Sequence, residues 1–244
     1  LASEFEGTDL TQAKERVFRE AETAGRLNHP NIVTIYDAGE DQDLAYIAME
    51  YLEGKDLTAH TKSGQQLPVS DVTDIVCKIA EALAYAHTQD VVHRDIKPAN
   101  IMYDTRTGSV KVTDFGIARI TASSRTRTGV ILGTPSYMSP EQLSGKHVDG
   151  RSDLFSLGVM TFELLTGQLP FQGESMTTLM YQIANEPHPE IKTLRSDLPP
   201  CLRAVIDRAL AKDPDQRYQT GEEFSRALRK CIDSRSPKKK TVTA

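Results

Sequence analysis

Between residues 10 and 27 the apolar side chains Val17, Phe18, Ala21, Ala24 and Leu27 recur at helical spacing among Lys14, Glu15, Arg16, Arg19 and Glu20. That period predicts an amphipathic helix, which Asn28, His29 and Pro30 end. The pattern then changes. The β-branched and aromatic runs IVTIY (32–36) and AYIAMEY (45–51) flank a polar stretch with Gly39, Glu40, Asp41 and Asp43, which predicts a hairpin. Past Gly54 the helical period returns, first in a short piece around Leu57. A long helix follows from Asp71 to Gln89, with Val72, Ile75, Val76, Ile79 and Leu83 on one face. Ser70 is the expected N-cap, and Asp71 and Asp74 lie near the positive end of the helix dipole. The runs IMY (101–103) and VKVTD (110–114) around Thr107 and Gly108 predict a second small hairpin. The segment VVHRDIKPAN (91–100) therefore falls on a loop between helix and sheet.

Residues 115–150 show little periodicity and are crowded with Ser, Thr, Arg and Gly, as a long ordered or switchable loop would be. Helices resume at 152–165, which is apolar nearly all round and so predicted to be buried, then at 175–185, 200–211 and 221–232. The last residues, SRSPKKKTVTA, read as a disordered basic tail. The pattern as a whole is α+β, with a small sheet-containing front part and a larger helical back part.

The chain of 244 residues is long enough to bury a core without disulfides or metals, and its 26% charged residues are ordinary for a globular protein. A general grip on nucleic acid would want a basic face, and a net charge of −5 does not favour one, so nucleic acid is not an expected partner. The longest apolar run, LGVMTFELL (157–165), is broken by Thr161 and Glu163 and is far shorter than a membrane span. The opening LASEFEGTDL lacks the basic start of a signal peptide. Cys77, Cys201 and Cys231 are odd in number, far apart and set in apolar helical patterns, which predicts reduced core thiols in a cytosolic compartment.

Candidate chemistry gathers at Asp95, Asn100 and Asp114. Oxygen ligands from neighbouring loops suit Mg2+ when its other ligands are phosphate and water. A lone loop aspartate is usually a turn residue or helix cap. Here Asp114 ends a strand and Asn100 opens the hairpin before it, so the two are expected to converge, with Gly116 freeing the backbone just beyond. The segments HRDIKPAN (93–100), DFG (114–116) and SPE (139–141) resemble the catalytic loop, metal loop and APE motif of protein kinases. The resemblance runs from about residue 11 to 232 and is greatest to the bacterial eukaryotic-like (Hanks-type) serine/threonine protein kinases.

That resemblance implies a bilobal α+β fold with an incomplete N-lobe, comprising the first helix and a hairpin, and a complete, mainly helical C-lobe. Residues 1–50 would be the partial N-lobe, 51–54 the hinge, 55–232 the C-lobe and 233–244 the disordered basic tail. It implies transfer of the γ-phosphate of ATP, with Mg2+ or Mn2+, to Ser or Thr hydroxyls of protein substrates. Asp95 would orient the hydroxyl and accept its proton, Lys97 would reach the γ-phosphate, and Asn100 and Asp114 would hold the metal. Met49 would be the gatekeeper, Glu50 and Leu52 would offer backbone hydrogen bonds to adenine, Met102 would lie under its ring, and Glu20 would pair with the ATP-anchoring lysine.

Arg94, with Arg119 as helper, would bind a phosphate on Thr126 or Thr128 of the activation loop, and Thr134 would lie in the segment that receives the substrate residue. His93 packed beneath Phe115, the pair Glu141 and Arg217, and Asp153 would be structural. The family also implies a kinase dimer for trans-autophosphorylation, and a cytoplasmic location, either free or as the cytoplasmic part of a membrane-tethered protein.

The family pattern is missing at the front. The glycine-rich loop and the VAIK-type lysine are not found, and by family spacing that lysine falls about twenty residues before Glu20, at or just before Leu1. An N-terminally trimmed kinase is the reading the retained Asp95, Lys97, Asn100 and Asp114 favour. The alternative is a catalytically impaired fragment or pseudokinase acting as an interaction module. A small-molecule phosphotransferase is disfavoured by the complete segment GTPSYMSPEQ.

Overall fold

The computed structural model describes residues 25–41, 44–115 and 135–233. The first predicted helix, up to Ala24, lies outside them, as does the tail from Ser234. The predicted front hairpin is formed by β1 (Ile35–Asp41) and β2 (Leu44–Met49), antiparallel with Ile35 opposite Met49 and an irregularity between Ile35 and Asp37. The run IVTIY is divided between two partners. Only its end joins β2. Its start turns away, with Ile32 bridging Val112 in parallel and the Val33 N–H donating to the Val112 carbonyl at 2.9 Å. Alternation along the run could not reveal this, because either partner buries the same residues, Ile32 and Val33.

The second sheet has three strands rather than two. β3 (Lys55–Asp56) pairs with β4 (Ile101–Asp104), which pairs with β5 (Ser109–Val112). A two-residue strand has no periodicity to read. Between β3 and β4 runs α1 (Val69–Thr88), with Val72, Ile75, Val76, Ile79 and Leu83 all buried as their spacing requires. Its N-cap is Pro68 and not Ser70. Proline's fixed φ suits the start of a helix, and the amides of Asp71 and Val72 donate to the Pro68 carbonyl, so Ser70 lies inside the first turn with its hydroxyl on Asp71.

The back part comprises α2 (Pro140–Leu143), α3 (Gly150–Thr166), α4 (Met176–Asn185), α5 (Ile191–Leu194), α6 (Pro200–Ala209) and α7 (Gly221–Asp233). α3 is the central rod, buried continuously from Ser152 to Thr166 as its all-round apolarity predicts. Asp149 caps its start through the Arg151 N–H, and Gly167, at φ 75°, ends it in the left-handed conformation. α1 and α6 pack on α3, and α7 packs on α1 and α6. Among the described residues no helix is long and apolar enough to cross a membrane.

The cysteine prediction is corrected. Cys77 is a free, buried thiol, but Cys201 and Cys231 are disulfide-bonded. The first turn of α6 and the last turn of α7 lie side by side, which brings their Cα atoms to 5.5 Å across 30 residues of sequence. Sequence separation carries no information about that helix pairing, so the inference of a compartment from reduced thiols falls away.

Gly221, at the start of α7, shows how closely α7 meets α1. A Cβ there would lie 2.0 Å from the Ala80 carbonyl oxygen, inside any attainable contact. Gly221→Ala is expected to destabilise the helical part by about 1–3 kcal/mol, the usual cost of overpacking, as read from the midpoint of chemical denaturation.

Candidate active site

The loop 91–100 is held from below by one carboxylate. Asp153, in the first turn of α3, is fully buried. Its Oδ2 accepts from the His93 N–H at 2.9 Å and contacts His87 Nε2 at 2.8 Å, and its Oδ1 accepts from the Arg94 N–H at 2.7 Å. Charge-assisted bonds to successive amides are strong enough to fix an unfavourable backbone conformation. Arg94 has one, with φ 69°, a left-handed state that costs a non-glycine residue about 1–2 kcal/mol. The next residue is Asp95.

His93 is fully buried, with its ring edge-to-face on Phe115 at 4.6 Å between centroids. The Asp95 N–H points at Nδ1 (3.2 Å), so Nδ1 is an acceptor and Nε2 carries the hydrogen donated to the Thr113 carbonyl at 2.8 Å. This ring therefore joins the loop to the strand end that carries Asp114.

Asp95 Oδ2 takes two donors, Lys97 Nζ at 2.6 Å and Asn100 Nδ2 at 3.0 Å. Both of these donors fall on the one oxygen, Oδ2. Asn100, in a short 3-10 turn Pro98–Asn100, also donates Nδ2 to the Asp95 carbonyl at 2.8 Å. With the amide nitrogen committed twice, its carbonyl oxygen Oδ1 is the atom offered to a ligand. Thr113 donates both its N–H (2.9 Å) and its hydroxyl (3.1 Å) to the Asn100 backbone carbonyl, which ties the turn to the residue before Asp114. Asp114 is exposed and also left-handed, at φ 62°. One carboxylate, on the exposed Asp114, and one amide oxygen, on the buried Asn100, are carried by tethered segments and fit a hard divalent cation that takes its remaining ligands from phosphate and water.

A cleft beside these residues is lined by Ile32, Val33, Ile35, Ile47, Met49, Asp114 and Phe115, so the front hairpin and residues 114 and 115 share one wall. Next to Met49, the Glu50 N–H donates to the Thr34 carbonyl at 2.9 Å. The Glu50 side chain turns back to Lys111 Nζ (2.6 Å) and the Thr34 N–H (2.7 Å). Burial pushes this carboxyl up, but the lysine and the amide outweigh it and hold it below its ordinary value. Met102 lies directly across the ladder from Lys111, so both stand on the face of the small sheet turned toward the hinge. Leu52 is half-buried, whereas Met49 is 42% exposed.

Glu141 and Arg217 form a buried bidentate pair at 2.7 and 2.8 Å. The Ser152 hydroxyl adds a third donor to Glu141. Arg217 places its remaining N–H groups on the carbonyls of Ala211, Arg151 and Lys212, so all five guanidinium donors are used. Burial raises the Glu141 carboxyl, and the bonds from Arg217 and Ser152 more than reverse this, leaving it below the usual range.

Glu20, Arg119, Thr126, Thr128 and Thr134 lie outside the described residues. Three participants were missed in the sequence. His87 reaches Asp153 from the last turn of α1, and nothing in the helical period singles it out. Lys111 could have been found, because alternation in VKVTD buries Val110 and Val112 and turns the residue between them to the opposite face. Gln142 donates to the Arg94 carbonyl at 2.9 Å, and no local pattern marks such a contact across 48 residues.

The chain matches the family model described as "Protein kinase domain" over residues 5–228. It is 43% identical over 225 residues to a probable serine/threonine-protein kinase of Streptomyces coelicolor, covering 89% of this chain and 33% of that protein. It is 41% identical over 220 residues to the serine/threonine-protein kinase PrkC of Bacillus subtilis, covering 90% and 34%. The chain thus spans about a third of the length of these relatives. Among solved structures it is similar to the PknI kinase domain of Mycobacterium tuberculosis, with a TM-score of 0.70, 33% identity and coverage of 90% of this chain and 79% of that one. A Rad53 structure in complex with AMP-PNP gives a TM-score of 0.73 at 31% identity, covering 86% and 53%.

Removing one partner of the Glu141–Arg217 pair strands a buried charge. Arg217→Met is expected to destabilise by about 3–5 kcal/mol in urea denaturation. Because the folded Glu141 carboxyl is lowered, the pair contributes fully above the unfolded value of about 4.3 and fades as pH falls through the lower folded one. The stability gap between wild type and Glu141→Gln should therefore narrow only below about pH 4.

Proposed function

This chain belongs to the protein kinase domain family, and we propose that it is the catalytic domain of a serine/threonine protein kinase, moving the γ-phosphoryl group of ATP to hydroxyls of protein substrates. The observation that carries the reading is the Asp95 carboxylate, with one oxygen held by Lys97 and Asn100 and the other left for a hydroxyl, on a loop clamped by Asp153. Phosphoryl transfer needs positioning and charge neutralisation more than a strong base. Asp95 orients the attacking hydroxyl and takes its proton. Lys97, within reach of both Asp95 and an incoming phosphate, offsets charge on the transferred group. Asn100 Oδ1 and the Asp114 carboxylate would hold Mg2+ or Mn2+, which when bound supplies charge neutralisation to the phosphate oxygens.

The Glu50 carbonyl and the Leu52 backbone receive the adenine edge, with Met49 behind it and Met102 beneath. Glu20 serves the same site by pairing with an anchoring lysine. In this reading residues 1–50 are the front-lobe part, 51–54 the hinge and 55–232 the C-lobe, followed by a basic tail. Arg94, assisted by Arg119, receives a phosphate on Thr126 or Thr128, and Thr134 belongs to the segment that receives the substrate residue. Phosphorylation in trans by a second copy would supply that group. The need for ATP supports a cytoplasmic location for the domain.

The test is phosphotransfer to a Ser/Thr peptide by the full-length protein. Asp95→Asn keeps the side-chain size and is expected to lower kcat by about 10²–10⁴. An Asp95→Asn variant as active as wild type would sink the mechanism. A full-length wild-type protein with no phosphotransfer would favour an interaction module instead.

A further inference from the structure

The peptide unit between Arg94 and Asp95 is gripped along both edges. Its N–H is held by His93 Nδ1, and its carbonyl oxygen by Gln142 Nε2 at 2.9 Å. Gln142 belongs to α2, the short helix of the SPE motif, and acts there in a second capacity. Its Oε1 accepts from the Ser139 N–H (2.9 Å) and the Ser139 hydroxyl (3.1 Å), and its own N–H lies 3.4 Å from Ser139 Oγ, closing a capping box. These donors fix the orientation of the amide. The oxygen must face Ser139, so the NH2 must face Arg94, and a flipped amide would set donor against donor and carbonyl against carbonyl.

Capping boxes are served equally well by glutamate or glutamine, because the box needs only an acceptor. The Arg94 contact is what requires glutamine here. Arg94 is left-handed, and the tilt of the plane that follows it sets where the Asp95 Cα and carboxylate stand. Asp153 fixes the plane before Arg94, and nothing in that bond constrains the one after it.

Resting on the kinase reading, the geometry points to Gln142 as a positioning residue that holds the Arg94–Asp95 peptide plane, and thereby aims Asp95, from the end of the activation segment. It touches neither substrate nor metal. Its effect is on the productive fraction of bound complexes, so it belongs in kcat and not in ATP binding. A misaim of about 1 Å is enough to cost about 10²-fold in rate.

Gln142→Glu separates the two duties of this side chain. The carboxylate keeps the cap on Ser139 but has no hydrogen to give Arg94, and it sets negative charge against the carbonyl. In the full-length protein Gln142→Glu is expected to lower kcat for peptide phosphorylation by about 10- to 100-fold, with the KM for ATP and the Tm little changed. Ser139→Ala weakens the cap and leaves the Arg94 bond, so its Tm should fall while kcat stays at the wild-type level. A loss of kcat without a loss of Tm or of ATP affinity is a signature that simple destabilisation would not give. Wild-type kcat in Gln142→Glu, or an equal loss in Ser139→Ala, would overturn the proposal. An inactive wild-type protein would instead remove the kinase reading on which it stands.

Discussion

A single buried carboxylate, Asp153, sets the conditions for everything in the loop 91–100. It is fully buried, and a carboxylate in that setting is tolerable only when its lone pairs are occupied. Two successive loop amides and His87 occupy them. The dependence runs in both directions. The loop amides, which have no ladder to join, find their acceptor in the core, and the core charge finds its donors in the loop. The left-handed Arg94 is the visible cost of this arrangement, and Asp95 is its beneficiary.

The same logic recurs at Glu141 and Arg217, with a different outcome. There both charges are inside, and the guanidinium is saturated by backbone carbonyls as well as by the carboxylate. Such pairs contribute little net stability compared with an apolar filling, and much more to holding one arrangement. The pair joins α2, on which Gln142 rides, to the segment between α6 and α7. Position in the helical part is thereby conveyed to the loop through rigid contacts, with Asn100 and Asp114 attached through Thr113.

Much of this was legible in the chain itself. α1, α3, α6 and α7 were found by period, since each buries a stripe or, for α3, its whole girth. The kinase-like fold followed from the resemblance of HRDIKPAN, DFG and SPE to kinase motifs, the first two rich in residues suited to phosphate and metal and the third built around a cap and a buried ion pair. What escaped was set by distance along the chain. The division of IVTIY between β2 and β5, the strand β3, the Cys201–Cys231 bond and the Gln142–Arg94 contact each depend on which elements lie side by side, and side-chain patterning is the same whichever neighbour is chosen. Ser70 failed for a more local reason: Pro68 initiates the helix two residues earlier than the hydroxyl cap would.

The bond between Cys201 and Cys231 also decides how the domain bears load. α7 carries the chain onward into the basic segment from residue 234, so any tension on that segment arrives first at the last turn of α7. A helix held only by packing would peel from its end, one turn at a time. With its last turn fastened to the first turn of α6, the pull is passed across to α6 and into the buried helix α3, and α7 is spared from unwinding.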